Sequence, residues 1–87
     1  MTWRVVWTAP AARDMRRLDR EVARRIRAAV LRLVETKHGD VKRLHGYERE
    51  WRLRVGQWRV RFTCDPETGK VMILRVLPRS EAYRSEL

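Results

Sequence analysis

The order of elements in this 87-residue sequence predicts an α+β domain, β-α-α-β-β-β with a short C-terminal tail or helix, in which two antiparallel helices pack on one face of a mostly antiparallel sheet. An apolar stripe at helical spacing runs from Val22 to Val34. Strict alternation of apolar residues and arginine fills Trp51 to Phe62 on both sides of Gly56-Gln57. A β-branched and aliphatic run, Val71 to Leu77, follows the turn chemistry of Asp65 to Gly69. No Pro-, Gly- or Ser-rich linker divides the chain, so residues 1–87 are read as a single domain with one modest core.

Thr2 to Trp7 reads as a strand from its Val and Trp content. Thr8 then suits a helix N-cap, and Pro10 fits the first turn, where no amide donor is missed. Ala11, Ala12, Met15 and Leu18 keep helical spacing through a first short helix. Asp19 and Glu21 mark a second start, favoured by the positive end of the helix dipole. Val22, Ile26, Ala29, Val30, Leu33 and Val34 form its buried stripe, and Arg20, Arg24, Arg25, Arg27 and Arg32 fall off it. A basic residue and glycine at Lys37-His38-Gly39 predict its end. Gly39 to Glu48 is read as a connector.

The hairpin register follows from its loop. Glycine at the first loop position suits a type II′ turn, because it accepts the positive φ that the twist of the flanking strands requires. With Gly56 and Gln57 as that loop, Trp51 faces Phe62, Leu53 faces Val60 and Val55 faces Trp58, while Arg52 faces Arg61 and Arg54 faces Arg59. One side is apolar and should meet the helices. The other is cationic and should stay open. Val71 to Leu77 is expected in the middle of the sheet, covered on much of both faces. Pro78 ends it, and the tail from Arg79 could form a short helix with Ser80 as its cap.

Hydrophobic residues make up 44% of the chain, enough to fold despite the high charge. Lys and Arg number 21 against 11 acids, a net charge of +10 that favours polyanionic partners, nucleic acid before acidic protein or membrane. No run of apolar residues could span a bilayer and no signal-peptide core is present, so a cytoplasmic protein is expected. The single Cys64 is read as a packed or strand-end thiol, and His38 and His45 lack metal-ligand spacing, so no metal or cofactor is expected.

Two opposed arginine pairs in neighbouring rungs repel each other by roughly 0.2–1 kcal/mol apiece. That cost points to an anion on the arginine face, although solvation of a sheet's outer face by arginine is the plainer alternative. Arg75 from the last strand, and Arg79 and Tyr83 from the tail, are expected to join Arg52, Arg54, Arg59 and Arg61 there. Guanidinium groups grip phosphate through a planar fork and stay charged at any relevant pH, so they suit holding a phosphodiester and its transition-state charge, not abstracting a proton.

The run KRLHGYEREWRLRVGQWRVRF, the DPETGK turn and VMILRVLPRSEAYR resemble the RelE/ParE superfamily of type II toxins, and more closely its RelE branch. The similarity covers essentially the whole chain and is most specific in Leu44-x-Gly46, the arginine hairpin and the closing R-x-E-A-Y. The resemblance implies a metal-independent, ribosome-dependent endoribonuclease that cuts messenger RNA in the decoding site by attack of the 2′-hydroxyl on the adjacent phosphate. Its implied catalytic residues are Arg52, Arg54, Arg59, Arg79 and Tyr83, with Arg61, Arg75, Lys42 and Arg43 contacting RNA. It also implies a separately encoded antitoxin, for which a +10 chain makes an acidic segment sensible.

Arginines stand at 52 and 54 where the best-studied members carry lysines, and arginine cannot serve as a general base. That leaves Tyr83 as proton acceptor if neighbouring guanidiniums lower its pKa, against the plainer reading that it packs the tail on the sheet. Weak acid–base equipment further predicts that free RNA is cut poorly. The alternatives are a ParE-like toxin acting on DNA gyrase and a non-catalytic RNA- or protein-binding module.

Overall fold

A computed structural model describes residues 3–36, 39–43 and 50–84. The elements run β1 (Arg4–Trp7), α1 (Ala9–Arg16), α2 (Arg20–Thr36), β2 (Asp40–Arg43), β3 (Glu50–Val55), β4 (Trp58–Asp65), β5 (Lys70–Pro78) and α3 (Arg79–Arg84). One five-stranded sheet has the order β1-β5-β4-β3-β2, with β1 parallel to β5 and every other pair antiparallel. The α+β class, the paired helices and the hairpin register are as the sequence predicts, Arg52 facing Arg61 and Arg54 facing Arg59.

Helix starts follow their caps. Thr8 has extended backbone, its hydroxyl accepts from Ala11 N–H at 3.4 Å, and Pro10 lies in the first turn. Asp19 caps α2 through a carboxylate oxygen that accepts from Glu21 N–H at 3.2 Å, while its carbonyl receives Ala23 N–H. The α2 stripe then buries Ala23, Ile26 and Val30 against Leu53, Val60, Phe62 and Ile73 of the sheet. Trp3, Val5 and Trp7, at the spacing of one strand face, pack against the same core.

Three boundaries differ from the sequence reading. Part of the expected connector, Asp40 to Arg43, is strand β2, paired along β3 from Asp40–Arg54 to Arg43–Trp51. A four-residue, mostly charged segment carries no strand signal of its own, and the neighbouring β3 backbone supplies the order. The Val71–Leu77 run lies one place from the sheet edge, with β4 at the centre. Ser80 falls inside the first turn of α3, which begins at Arg79. Lys37, His38, Leu44, His45 and Gly46 lie outside the described residues.

A register shift decides what β5 presents. Arg61 faces Arg75, but Phe62 faces Ile73, so β5 carries one extra residue, Leu74. Val71 and Ile73 are buried before the bulge, and Val76 after it, at 2% exposure, facing Val60. Without the bulge, alternation from Ile73 would send Arg75 into the core. Thr8 secures this irregular point: its backbone N–H and its hydroxyl both donate to Ile73 O, the hydroxyl at 2.7 Å.

Candidate nucleic-acid interface

The register sets the arginines in two rungs. Arg52, Arg61 and Arg75 stand in line across β3, β4 and β5, and Arg54 and Arg59 form the next rung with Leu77. In β2, Lys42 stands opposite Arg52 and Arg43 opposite Trp51; their side chains lie outside the described residues. Arg79 follows the Pro78 that faces Trp58, and its N–H donates to Gln57 O at 2.9 Å. That bond anchors the start of α3 on the β3–β4 turn, so the fold brings Arg79 and Arg59 to one corner. Tyr83 sits in the second half of α3, with its side chain outside the described residues.

The arginine face is less open than the sequence predicts. Arg52 and Arg59 are buried, Arg59 with 5% of its surface exposed, and Leu77 on the same face is buried as well. Helix α3 packs on β5 and β4. Arg54 is exposed. The arginine side of the sheet therefore mixes buried and exposed guanidinium side chains.

Each head has a distinct environment. Arg61 donates to Glu50 across the strand pair at 2.5 Å, with 12% of its side chain exposed, so the repulsion from Arg52 directly opposite is offset by a carboxylate on the diagonal. Arg59 bends back on its own turn, and its Nη1 donates to Gly56 O and Trp58 O, both at 2.9 Å. Both acceptors are neutral carbonyls, and no described carboxylate bonds Arg59. A buried cation without an anionic partner is costly, so such a group is unusual unless an anion completes it.

Arg75 is held differently. Its Nε and Nη2 donate to the two oxygens of Asp14 on α1, at 2.8 and 3.2 Å, and the same carboxylate accepts from Val76 N–H at 2.8 Å. The topology explains this bond. Strand β1 ends opposite Ile73, so the second half of β5 keeps β4 on one side but has no strand on the other, and α1 runs on from β1 along that vacant edge. Asp14 supplies there the acceptor that a sixth strand would have given, and its charge also raises Arg75 above the ordinary guanidinium pKa, chiefly through the hydrogen bonds. The sequence reading did not single out Asp14; the only local signal is a carboxylate among α1 arginines, which sequence cannot link to Val76.

Cys64 is half-buried beside Trp51, Phe62 and Val71, and burial pushes its thiol above the usual cysteine pKa. It is a packed thiol. No described helix is long and apolar enough to cross a membrane.

Residues 5–83 match the family model described as the ParE toxin of the type II toxin-antitoxin system, parDE. Among solved structures, the fold matches the archaeal RelE–RelB complex from Pyrococcus horikoshii with TM-score 0.76 and 25% identity, covering 91% of this chain and 97% of that one. It matches the toxin–antitoxin complex RelBE2 from Mycobacterium tuberculosis with TM-score 0.65 and 26% identity, over 91% and 100% of the two chains. The isolated E. coli RelE toxin shares the fold alone, at TM-score 0.74 and 16% identity over 98% and 99%. No curated protein matches the sequence by direct comparison.

Proposed function

Since the chain belongs to the ParE toxin family of type II toxin–antitoxin systems, within the RelE/ParE superfamily, we propose that it is an mRNA interferase that works on the ribosome. The observation that carries this reading is Arg59, a buried guanidinium bonded only to carbonyl oxygens among the described residues, at the corner where Arg79 enters α3. A scissile phosphate would supply the missing anion.

In this mechanism the RNA 2′-oxygen bonds to the adjacent phosphorus while the bond to the 5′-oxygen breaks, giving a 2′,3′-cyclic phosphate. Arg59 and Arg79 hold the non-bridging oxygens as negative charge accumulates, Arg52 and Arg54 place the backbone and stabilise the departing 5′-oxide, Tyr83 in its phenolate form accepts the 2′-hydroxyl proton, and water protonates the 5′-oxide. Guanidiniums stabilise charge without exchanging protons, so acceleration comes from positioning, and the ribosome supplies the rest of it by orienting the message. This chemistry needs no metal. It takes place in the cytoplasm, where translation occurs.

The partner is a cognate antitoxin, as in the RelE–RelB complexes whose fold this chain shares, and the +10 charge suits an acidic segment whose binding weakens with salt. A second reading is favoured by the family description itself: a ParE-like toxin acting on DNA gyrase. Primer extension on a translated message, with the wild type and Arg59→Ala, tests the first. Cleavage at discrete codons that the variant loses supports it, whereas gyrase inhibition without message cleavage replaces it with the second.

A further inference from the structure

Three arginines converge on a recess that the reaction above does not use. Arg13 of α1 and Arg17, the C-cap residue one helical turn on, line with Arg75 a cavity of about 280 Å³ that Pro10 and Asp14 complete. Arg13 and Arg17 are exposed, and neither side chain bonds a described carboxylate. Arg75 is oriented by Asp14, which takes one edge of the guanidinium through Nε and Nη2. Those bonds use two of five N–H donors, and 44% of the Arg75 side chain remains exposed. Both oxygens of Asp14 are occupied by Arg75 and by Val76 N–H, so its carboxylate is turned to the sheet edge. Glu81 of α3 lies near enough to favour the charged Arg75 but does not line the cavity.

We propose that this recess is a second phosphate subsite, holding one backbone phosphodiester of the RNA away from the scissile one, with Asp14 as a positioning residue. The reading rests on the RNA-directed function above. Arg75 is the link: it shares a rung with Arg61 and Arg52 on the arginine face, and its head lies at the β5 edge beside α1. A cationic track therefore crosses the sheet and turns round its edge onto α1. The recess's polar rim suits a phosphate, whose oxygens the forked donors of these arginines can grip.

The test is binding of a labelled, unstructured oligoribonucleotide by fluorescence anisotropy across a salt series. The proteins are the wild type, the double variant Arg13→Gln/Arg17→Gln, and a control of equal charge, Arg16→Gln/Arg20→Gln, whose exposed arginines lie outside the recess. The recess variant should bind roughly tenfold more weakly, as expected for lost charge-assisted hydrogen bonds. Its slope of log affinity against log salt should flatten by about 0.7, the value for one phosphate contact on a single strand. Equal losses in both variants would mean a net-charge effect and overturn the subsite, as would no loss in either. If inorganic phosphate raises the melting temperature of the wild type more than that of the recess variant while RNA affinity is the same for both, the recess takes a free anion and the RNA assignment fails. These outcomes are independent of catalysis. A wild type that shows the recess effect but cuts no message on ribosomes sinks the interferase reading and leaves the subsite standing.

Discussion

Arg59 and Arg75 lie on the same face of adjacent strands, yet their charges are answered in opposite ways. Arg75 keeps 44% of its side chain in solvent and has a carboxylate, Asp14, bonded in two places. Arg59 is buried, and among the described residues its guanidinium bonds two carbonyl oxygens, those of Gly56 and Trp58. Exposure and compensation run against what stability alone would choose, since the buried cation has the greater need of an anion. The difference separates two settings of one residue type: Asp14 ties Arg75 into the scaffold at an open sheet edge, while Arg59 bonds neutral carbonyls at the corner where the proposed function puts a phosphate.

Breaking the Arg59 side should have the largest consequence. Arg59→Ala is expected to lower ribosome-dependent cleavage by about 10²–10³-fold, the range for removing one aimed donor from a developing oxyanion. Arg59→Lys should recover little, because an ammonium offers a point charge in place of a fork. Rates of message cleavage in a translating extract decide this; wild-type rates from both variants would remove Arg59 from the chemistry.

The Arg75 side should register as stability. Asp14→Ala leaves the buried Val76 N–H and the Arg75 head without their acceptor, and roughly 1–3 kcal/mol should be lost in urea denaturation. Asp14→Asn should retain part of it, since an amide oxygen can still accept from Val76. The pair strengthens the charged form of Arg75, so its contribution is full below the ordinary guanidinium pKa and is lost as pH rises from there through the raised one. Stability measured from neutral pH up to mild alkali should therefore show no step from Arg75.

Smaller effects sharpen the scaffold's part in the contrast. Thr8→Ala removes both the α1 cap and the side-chain anchor on the β5 bulge, and about 0.5–2 kcal/mol should go with it. Gly56 has φ +59°, and among the described residues a Cβ there would meet Arg25 Nη2 at 3.7 Å, an ordinary contact. Space permits alanine, but the left-handed backbone does not, at a cost of about 1–2 kcal/mol. The smallest signal is chemical: Cys64, with its thiol pKa raised by burial, should react with iodoacetamide far more slowly in the folded protein than in urea. Equal rates would mean that the thiol is not packed as described.

Much of this was legible in local pattern. Apolar alternation on either side of Gly56-Gln57 forces the rungs Arg52–Arg61 and Arg54–Arg59, because a shift of one residue would turn every arginine into the core. Thr8, Pro10 and Asp19 mark helix starts for reasons confined to a few neighbouring residues, and Asp65 to Gly69 forms a turn with its Asp65 carboxylate accepting from Glu67 N–H and Gly69 at positive φ. By itself, then, the sequence determined the α+β class, the two-faced hairpin and the arginines that crowd its outer side.

Tertiary structure decided which of those arginines carries a free hand. The Leu74 bulge, strand β2, the packing of α3 on the sheet and the reach of Asp14 to Val76 all join residues far apart in the chain, and none leaves a periodic trace. Their physical basis is satisfaction of backbone and charged groups at the ends and edges of a sheet, which depends on what the fold places beside them. Alternation could put Arg59 and Arg75 on one face; only the packed molecule could give a carboxylate to one and two carbonyls to the other.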